Sequence, residues 1–272
     1  MWRLLYRIYR GTREKLFTRS GQQCSYKIND GEEKRLGKEI KRGARGKEVK
    51  EIQEWLRFHN LHLEIDNKFG SVTEKMVKKF QVQNELPETG IVDDDTWSIL
   101  IYPMTAACHP IDNLNSFRNA VLLYAWQHLT AGACEIGGNN KGPWVRLYSD
   151  GKDGENVLWC CWFVTFIIRE VCKQMNITMP VKRTGGCDSL MKDAIKNNRL
   201  ILAKDVQPGD LFLIRKSRKD WTHIGFVNFI NVEEDWFEAL EGNSYVFGRR
   251  DGDGVVKKTR AITDKIDFVR ID

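Results

Sequence analysis

The sequence has 272 residues, of which 42% are hydrophobic and 29% are charged. This balance is typical of a folded globular protein, and the length allows two modest domains or one large one. The longest apolar run, LWCCWFVTFIIREV at residues 158–171, is too short to cross a bilayer, so we expect no transmembrane helix.

The N-terminal end of the chain is strongly basic. Residues 1–50 contain 15 Lys and Arg against 6 Asp and Glu, although the formal net charge of the whole chain is only +6. Arg3, Arg7 and Arg10 interrupt the opening MWRLLYRIYRGTREKLFTR, so we do not expect a cleaved secretory signal. The pattern favours a short amphipathic basic helix within an N-terminal arm, residues 1–40. Such an arm suits an anionic surface, whether a membrane, a nucleic acid or an acidic wall polymer, and a solvated tail is the alternative.

Residues 41–102 have the apolar periodicity of a small helical domain. The segment GARGKEVKEIQEWLRFHN places Val49, Ile52 and Leu56 on one helical face. TEKMVKKFQVQN repeats this design, with Thr73 as the expected N-cap, and DDDTWSIL predicts a third short helix. Turn-forming glycine, asparagine and proline residues separate these segments. We therefore expect a domain of three helices.

The same segment contains an ordered set of glycine, apolar, amide and turn residues. In chain order they are Gly43, Gly46, Val49, Ile52, Gln53, Leu56, Asp66, Phe69, Gly70, Thr73, Val77, Phe80, Gln81, Thr89, Gly90, Val92, Asp93, Thr96, Trp97 and Leu100. This order resembles the three-helix type of peptidoglycan-binding domain that accompanies many cell-wall hydrolases. The resemblance implies peptidoglycan as the partner of residues 41–102. Most matching positions are core and turn residues, so a purely structural spacer is the alternative interpretation.

The segment IYPMTAACHPIDNLN, which follows Leu100, separates the two halves of the chain. It contains two prolines and no sustained periodicity, which is typical of a linker, and we assign the linker to residues 103–114. Residues 115–272 would then form a second domain, which begins with the helix SFRNAVLLYAWQHL.

Seven cysteines are present, and two of them, Cys160 and Cys161, are adjacent within the long apolar run. The odd number, together with the absence of an expected secretory signal, favours reduced thiols. No C-x-x-C or H-x-x-x-H spacing occurs, so we expect no metal site and no cofactor. If the run is a helix, the adjacent side chains point about 100° apart, so only one can act as a nucleophile.

Cys160 is the better candidate nucleophile of the two. We expect it in the first turn of a buried helix over residues 159–171, where unpaired backbone N–H groups and the helix dipole favour a thiolate. Cys161, one residue deeper, has less of this advantage but remains the alternative. Upstream, the glycine-rich stretch EIGGNNKGPWVRLY predicts a loop that borders a cleft.

His223 is the best placed of the five histidines to act as a base. DWTHIGFVNFI alternates as a strand, NVEED is a turn and WFEALEGN is a second strand. A turn centred near Glu233 pairs residue 225 with Glu241 and His223 with Asn243, so these side chains share one face. Glu241 or Asn243 would then orient the imidazole. A register slip of one residue would turn them to the opposite face.

Four ordered motifs carry a second resemblance. They are Trp159, Cys160, Phe163 and Val164; Pro208, Gly209, Asp210 and Leu211; His223, Ile224, Gly225, Phe226 and Val227; and Glu241, Gly242 and Asn243. Together with the loop that begins at Glu135, they are similar to CHAP-type amidases and peptidases, which are papain-like cysteine hydrolases related to the NlpC-type group. The resemblance implies an α+β domain over residues 115–272, with a helix packed on an antiparallel sheet. It also implies Cys160 as nucleophile, His223 as base, and Glu241 and Asn243 as their partners.

Both resemblances point to the same polymer, so we expect a modular hydrolase that binds peptidoglycan and cleaves one of its amide bonds. It would be an N-acetylmuramoyl-L-alanine amidase or an endopeptidase, as in phage endolysins, with no nucleic-acid partner. Without a signal peptide, it would be made in the cytoplasm and reach the wall after phage lysis or special export. The alternatives are a catalytically degenerate wall protein and a cysteine peptidase or amidase with a non-wall substrate.

Overall fold

A computed structural model of the chain describes residues 36–112, 114, 116–245 and 253–272. Residues Leu36–Asp272 form one compact unit. The basic helix expected in the N-terminal arm lies outside the described residues. Within them, seven α-helices and a six-stranded antiparallel sheet give an α+β fold, which confirms the predicted fold class. Among the described helices, none combines the length and the apolar character that a membrane span requires.

The first three helices are those predicted for the small helical domain. They are α1 (Lys47–Phe58), α2 (Ser71–Gln83) and α3 (Asp94–Ala107). Val49, Ile52 and Leu56 are all buried, as the periodicity of α1 predicts. The side chain of Asp93 caps α3 by accepting a hydrogen bond from the backbone N–H of Thr96 at 2.8 Å.

The prediction that Thr73 caps α2 is wrong. The helix begins at Ser71, with Gly70 as its N-cap, so Thr73 is already the third helical residue. Its hydroxyl instead accepts a hydrogen bond from Gln53 Nε2 at 3.1 Å, and the same amide nitrogen donates to Asp66 Oδ1 at 2.8 Å. The buried Gln53 thereby ties α1 to the loop before α2, which satisfies polar groups that would otherwise be buried without partners.

Helix α3 extends further than the sequence predicts. It continues to Ala107 and so covers the first part of the segment assigned to a linker at residues 103–114. Pro103 lies inside the helix, where it cannot donate the usual backbone hydrogen bond. Pro103 and Ala107 are nevertheless buried, and this packing offsets the lost bond. The division of the chain at this segment remains a prediction.

The second half contains four helices, α4 (Phe117–Thr130), α5 (Pro143–Tyr148), α6 (Cys160–Met175) and α7 (Cys187–Lys196). Its strands are β1 (Leu200–Ile201), β2 (Leu211–Ser217), β3 (Asp220–Asn231), β4 (Trp236–Ser244), β5 (Gly254–Ala261) and β6 (Ile266–Val269). Their order across the sheet is β1-β6-β2-β3-β4-β5. Alternate residues of the strands face different clusters: Leu213, Ile224 and Leu240 join the large core that contains α6, whereas Phe212, Val227 and Phe237 form a smaller one.

The three-helix domain is in direct contact with the second half. Trp55 of α1 packs edge-to-face against Trp144 of α5, with ring centroids 6.1 Å apart. Beside this contact, Arg146 Nη2 lies 2.5 Å from Glu54 Oε2, and Arg146 Nη1 lies 2.6 Å from Asp153 Oδ2. The Glu54 side chain is only 1% exposed, so Arg146 compensates a charge that is buried between the two parts.

Candidate active site

Cys160 is the first residue of α6, in the turn where the sequence predicts it. Its side chain is largely buried, and Cys161, the next residue, is fully buried. Trp159, which precedes the helix, donates from its indole Nε1 to Glu135 Oε1 at 2.8 Å. This bond attaches the start of α6 to the glycine-rich loop. Of the two cysteines, Cys160 is the more exposed. It also lies at the first position of the helix, next to the positive end of the helix dipole.

His223 lies on β3 and is joined to Glu241 on β4. His223 Nε2 is 2.8 Å from Glu241 Oε2, and Glu241 is fully buried. Phe226 pairs with Leu240 across the two strands, which is the register that the turn near Glu233 predicts. The imidazole is close enough to the thiol of Cys160 for the two groups to shift each other's pKa. Because Nε2 is bonded to Glu241, Nδ1 is the ring nitrogen that remains available to the thiol.

Gly225 has no side chain, and this leaves room for the side chain of Glu241. A Cβ atom at Gly225 would lie 2.7 Å from the carbonyl oxygen of Leu240 and 2.7 Å from Cε1 of Phe212. It would also lie 3.0 Å from Cγ of Glu241. A side chain at this position therefore has no room, and the missing Cβ lets the Glu241 side chain pass over β3 to reach His223.

Arg260 on β5 completes the arrangement, and no motif of the sequence indicates its role. Its Nε lies 2.5 Å from Glu241 Oε1 and its Nη2 lies 2.7 Å from Glu241 Oε2. The guanidinium also lies over the ring of Phe212, 5.3 Å from its centroid. A buried carboxylate is stable only when its charge is compensated, and Arg260 provides a bidentate partner. The contact becomes visible only when β5 is paired with β4. The motifs recognised in the sequence end at residue 243, before β5 begins.

The pKa values of the linked groups follow from these contacts. Burial raises the pKa of Glu241, but hydrogen bonds and charge interactions with Arg260 and His223 outweigh it and lower the pKa to about 2. Burial lowers the pKa of His223, but Cys160 and Glu241 outweigh it and raise the pKa to about 9. Glu241 is therefore a carboxylate at neutral pH, and it stabilises the protonated imidazole.

A further thiol affects Cys160. Cys187, the first residue of α7, has its Sγ 3.9 Å from Cys160 Sγ. The contact with Cys187 and burial raise the pKa of Cys160 well above its ordinary value, whereas His223 acts in the opposite direction. The thiolate of Cys160 is therefore favoured by the protonated imidazole of His223 and disfavoured by Cys187 and by burial.

Asn243, the fourth residue predicted for the site, contacts the glycine-rich loop. Its Nδ2 donates to Oδ1 of Asn140 at 3.1 Å, and Asn140 is buried. Its backbone is left-handed, with φ of 51°. Glu241 rather than Asn243 is thus bonded to the His223 ring nitrogen Nε2, while Asn243 joins the end of β4 to the loop. In the described part of the chain, no group of three or more His, Cys, Asp or Glu residues could hold a metal ion.

Comparison with known proteins identifies the first domain. Residues 45–100 match the family model described as "Putative peptidoglycan binding domain". No curated protein gives a significant match. The matched residues bear out the predicted peptidoglycan-binding domain, and with it peptidoglycan as the partner and a cell-wall-related function.

Three solved structures are similar to parts of the chain. The SleB N-terminal domain is 30% identical, over 25% of this chain and 93% of that one, with a TM-score of 0.24. A peptidoglycan-binding protein from Clostridioides difficile, in complex with glutamine hydroxamate, is 38% identical over 25% of this chain and 42% of that one, with a TM-score of 0.24. The Burkholderia AP3 phage endolysin is 30% identical over 34% of this chain and 33% of that one, with a TM-score of 0.23. The matches thus span most of the first structure and less than half of the other two.

Proposed function

We propose that the protein is a cysteine-dependent peptidoglycan hydrolase that cleaves an amide bond of the wall. Cys160 is the nucleophile, His223 is the base, and Glu241 orients the imidazole and stabilises its protonated form. The observation that carries this proposal is the bond between His223 Nε2 and Glu241 Oε2, which is 2.8 Å long, in an imidazole close enough to the Cys160 thiol for each group to shift the pKa of the other. This is the nucleophile–base–orienter arrangement of acyl-transfer enzymes.

The reaction is an acyl transfer in two steps. His223 accepts the thiol proton of Cys160, or holds an existing thiolate–imidazolium pair, and the sulfur attacks the carbonyl carbon of the amide. Backbone N–H groups in the first turn of α6, including that of Cys161, are candidate donors to the oxyanion. The protonated His223 then gives its proton to the leaving amine, and water hydrolyses the thioester. Glu241 stays ionised throughout, because its pKa is about 2.

The docked helical domain supports peptidoglycan as the substrate. We assign residues 41–102 to binding and residues 115–272 to catalysis, with Asn243 supporting the loop beside the nucleophile. The contact between Glu54 and Arg146 holds the two parts together, so a glycan strand bound by the first part stays near the second. The bond cleaved is either the one between the muramoyl group and L-alanine or one within the peptide. The protein would act at the cell wall.

The test is the clearing of purified peptidoglycan, followed as loss of turbidity. Wild-type protein is expected to clear the suspension, and Cys160→Ala is expected to remove nearly all turnover while the protein still sediments with the walls. Cys161→Ala is the matched control, because it removes the neighbouring thiol and leaves the nucleophile. Mass spectrometry of the released fragments identifies the bond.

Each other result has a defined meaning. Hydrolysis by Cys160→Ala overturns the assignment of the nucleophile. Binding of walls without hydrolysis by wild-type protein indicates a degenerate wall protein, and hydrolysis of other peptides alone indicates a different substrate class.

A further inference from the structure

The thiol of Cys187 lies beside that of the proposed nucleophile. Cys187 Sγ lies 3.9 Å from Cys160 Sγ, although the two residues are 27 positions apart in the chain. Each cysteine is the first residue of its helix, so the N-terminal ends of α6 and α7 meet at this pair. Both residues are largely buried, with exposed fractions of 5% and 7%. Neither the proposed hydrolysis nor wall binding needs a thiol at Cys187.

We propose that Cys160 and Cys187 form a reversible disulfide when the protein meets hydrogen peroxide, and that this bond switches hydrolysis off. The loss of activity rests on the proposed function, because it assumes that Cys160 is the nucleophile. The formation of the disulfide does not rest on the proposed function, since it depends only on the two sulfur atoms.

The chemistry balances with peroxide as the two-electron oxidant. The thiolate of Cys160 attacks one peroxide oxygen, which gives the sulfenic acid Cys160–SOH and, after protonation of the leaving hydroxide, one water. The sulfur of Cys187 then attacks the sulfenic sulfur, which forms the S–S bond and releases a second water. The two thiols together lose two electrons and two protons, and a dithiol reductant reverses the change.

The positions of the two residues allow the bond to close. A disulfide requires an S–S distance of about 2.0 Å, so the sulfurs must approach by about 2 Å. Gly186 stands immediately before Cys187, and a Cβ atom there would have only ordinary contacts, the nearest being Ser189 Cβ at 3.7 Å. At Gly185, by contrast, a Cβ atom would lie 2.0 Å from Nε1 of Trp162, so the chain before α7 is closely packed there. The sulfurs therefore approach by rotation of the two cysteine side chains.

Cys161 is a poorer partner for Cys160. Adjacent cysteines in a helix point in different directions, and a bond between them would distort the peptide that joins them. Cys161 is fully buried and its backbone carbonyl accepts a hydrogen bond from Thr165, so α6 holds it in place. The geometry therefore selects Cys187.

The experiment treats the full chain with a small molar excess of hydrogen peroxide and maps its peptides without reduction. Wild-type protein is expected to yield a linked peptide pair containing Cys160 and Cys187, two hydrogens lighter than the sum of its parts. Wall hydrolysis is expected to disappear with the formation of this pair and to return with dithiothreitol. Cys172→Ser is the matched control and is expected to behave like wild type, because the Cys172 thiol lies further along α6 and donates to the backbone carbonyl of Thr178.

Cys187→Ser and Cys187→Ala remove the resolving thiol. In both variants, peroxide is expected to carry Cys160 on to the sulfinic acid, which dithiothreitol does not reverse. Absence of the linked pair in oxidised wild-type protein overturns the proposal, and so does a pair that forms while hydrolysis continues undiminished. If wild-type protein forms the pair but never hydrolyses walls, the disulfide stands and the proposed function fails.

Discussion

Arg260 binds the carboxylate of Glu241 through two nitrogen atoms, with Nε 2.5 Å from Oε1 and Nη2 2.7 Å from Oε2. Glu241 Oε2 lies at the same time 2.8 Å from His223 Nε2. One carboxylate thus joins residues of three neighbouring strands, β3, β4 and β5. Because Glu241 is fully buried, its charge depends on compensation by Arg260 and by the imidazole of His223.

Arg260→Ala tests this dependence. Without the guanidinium, the pKa of Glu241 is expected to rise, the protonated imidazole loses part of its support, and wall hydrolysis falls by about 10-fold or more. The free energy of unfolding is expected to fall by about 1–3 kcal/mol, because a buried acceptor loses a charged donor. Arg260→Lys keeps the charge and is expected to recover part of the activity.

Lys257→Ala is the matched control, since Lys257 also lies on β5 but pairs with Glu238 at 2.7 Å, and its side chain is 43% exposed. It is expected to change neither activity nor stability measurably. Equal activity of Arg260→Ala and wild type would mean that Glu241 does not need this partner.

The pair of Glu241 and His223 predicts how stability varies with pH. The pKa of Glu241 lies at about 2 against an ordinary 4.5, so its contribution is complete above pH 4.5 and is lost as pH falls towards 2. The pKa of His223 lies at about 9 against an ordinary 6.5, so its contribution is complete below pH 6.5 and is lost as pH rises through 9. The pair therefore stabilises the fold most between pH 4.5 and 6.5.

Glu241→Gln keeps the size of the side chain and removes its charge. The difference in free energy of unfolding between wild type and this variant, measured by urea denaturation, is expected to be largest between about pH 4.5 and 6.5. It is expected to shrink towards pH 2 and above pH 9. A difference that is constant across this range would show that the two groups are not coupled in the folded protein.

Gly225→Ala tests whether the site requires the absence of a side chain at residue 225. The new Cβ would lie 2.7 Å from the carbonyl oxygen of Leu240, which is backbone and cannot move away without disturbing the sheet. We expect a loss of about 1–3 kcal/mol in the free energy of unfolding, together with a fall in activity as Glu241 is displaced. Gly186→Ala is the control, because it meets only ordinary contacts. If Gly225→Ala is as stable and as active as wild type, the space at residue 225 is not needed to place Glu241.

Local sequence patterns predict much of this site, because much of it depends on neighbours in the chain. The start of α6 at Cys160 follows from an apolar run with a helical length, and the β3–β4 register follows from a short turn near Glu233. The three helices of the first domain likewise follow from their periodicity. In each case the determining residues lie within about twenty positions of one another.

The parts that sequence does not predict depend on contacts between distant segments. Arg260 reaches Glu241 only through the β4–β5 pairing, and Cys187 approaches Cys160 only because α6 and α7 converge. At Thr73 and Pro103, too, contacts in the folded protein override the local preference of the residue. A hydroxyl suited to capping accepts a hydrogen bond from Gln53 instead, and a proline that usually ends a helix is retained by burial.

The contact between the two halves gives a final prediction, which concerns cooperativity. Arg146 lies 2.5 Å from Glu54 and 2.6 Å from Asp153, while the Glu54 side chain is 1% exposed. Removing the guanidinium leaves this buried carboxylate beside Lys50, whose Nζ lies 3.5 Å from Glu54 Oε1. We therefore expect Arg146→Ala to lower the free energy of unfolding by about 1–3 kcal/mol.

The same variant is expected to separate the thermal unfolding of the two halves. Wild-type protein, whose described residues form one compact unit, is expected to unfold in a single calorimetric transition. Arg146→Ala is expected to show two transitions, because each half keeps its own hydrophobic packing while the contact between them weakens. Lys50→Ala is the control, since the Lys50 side chain is 36% exposed and its ion pair contributes little. One transition at the wild-type temperature in Arg146→Ala would show that the remaining contacts, among them those of Trp55 and Phe58 with Trp144, are enough to couple the halves.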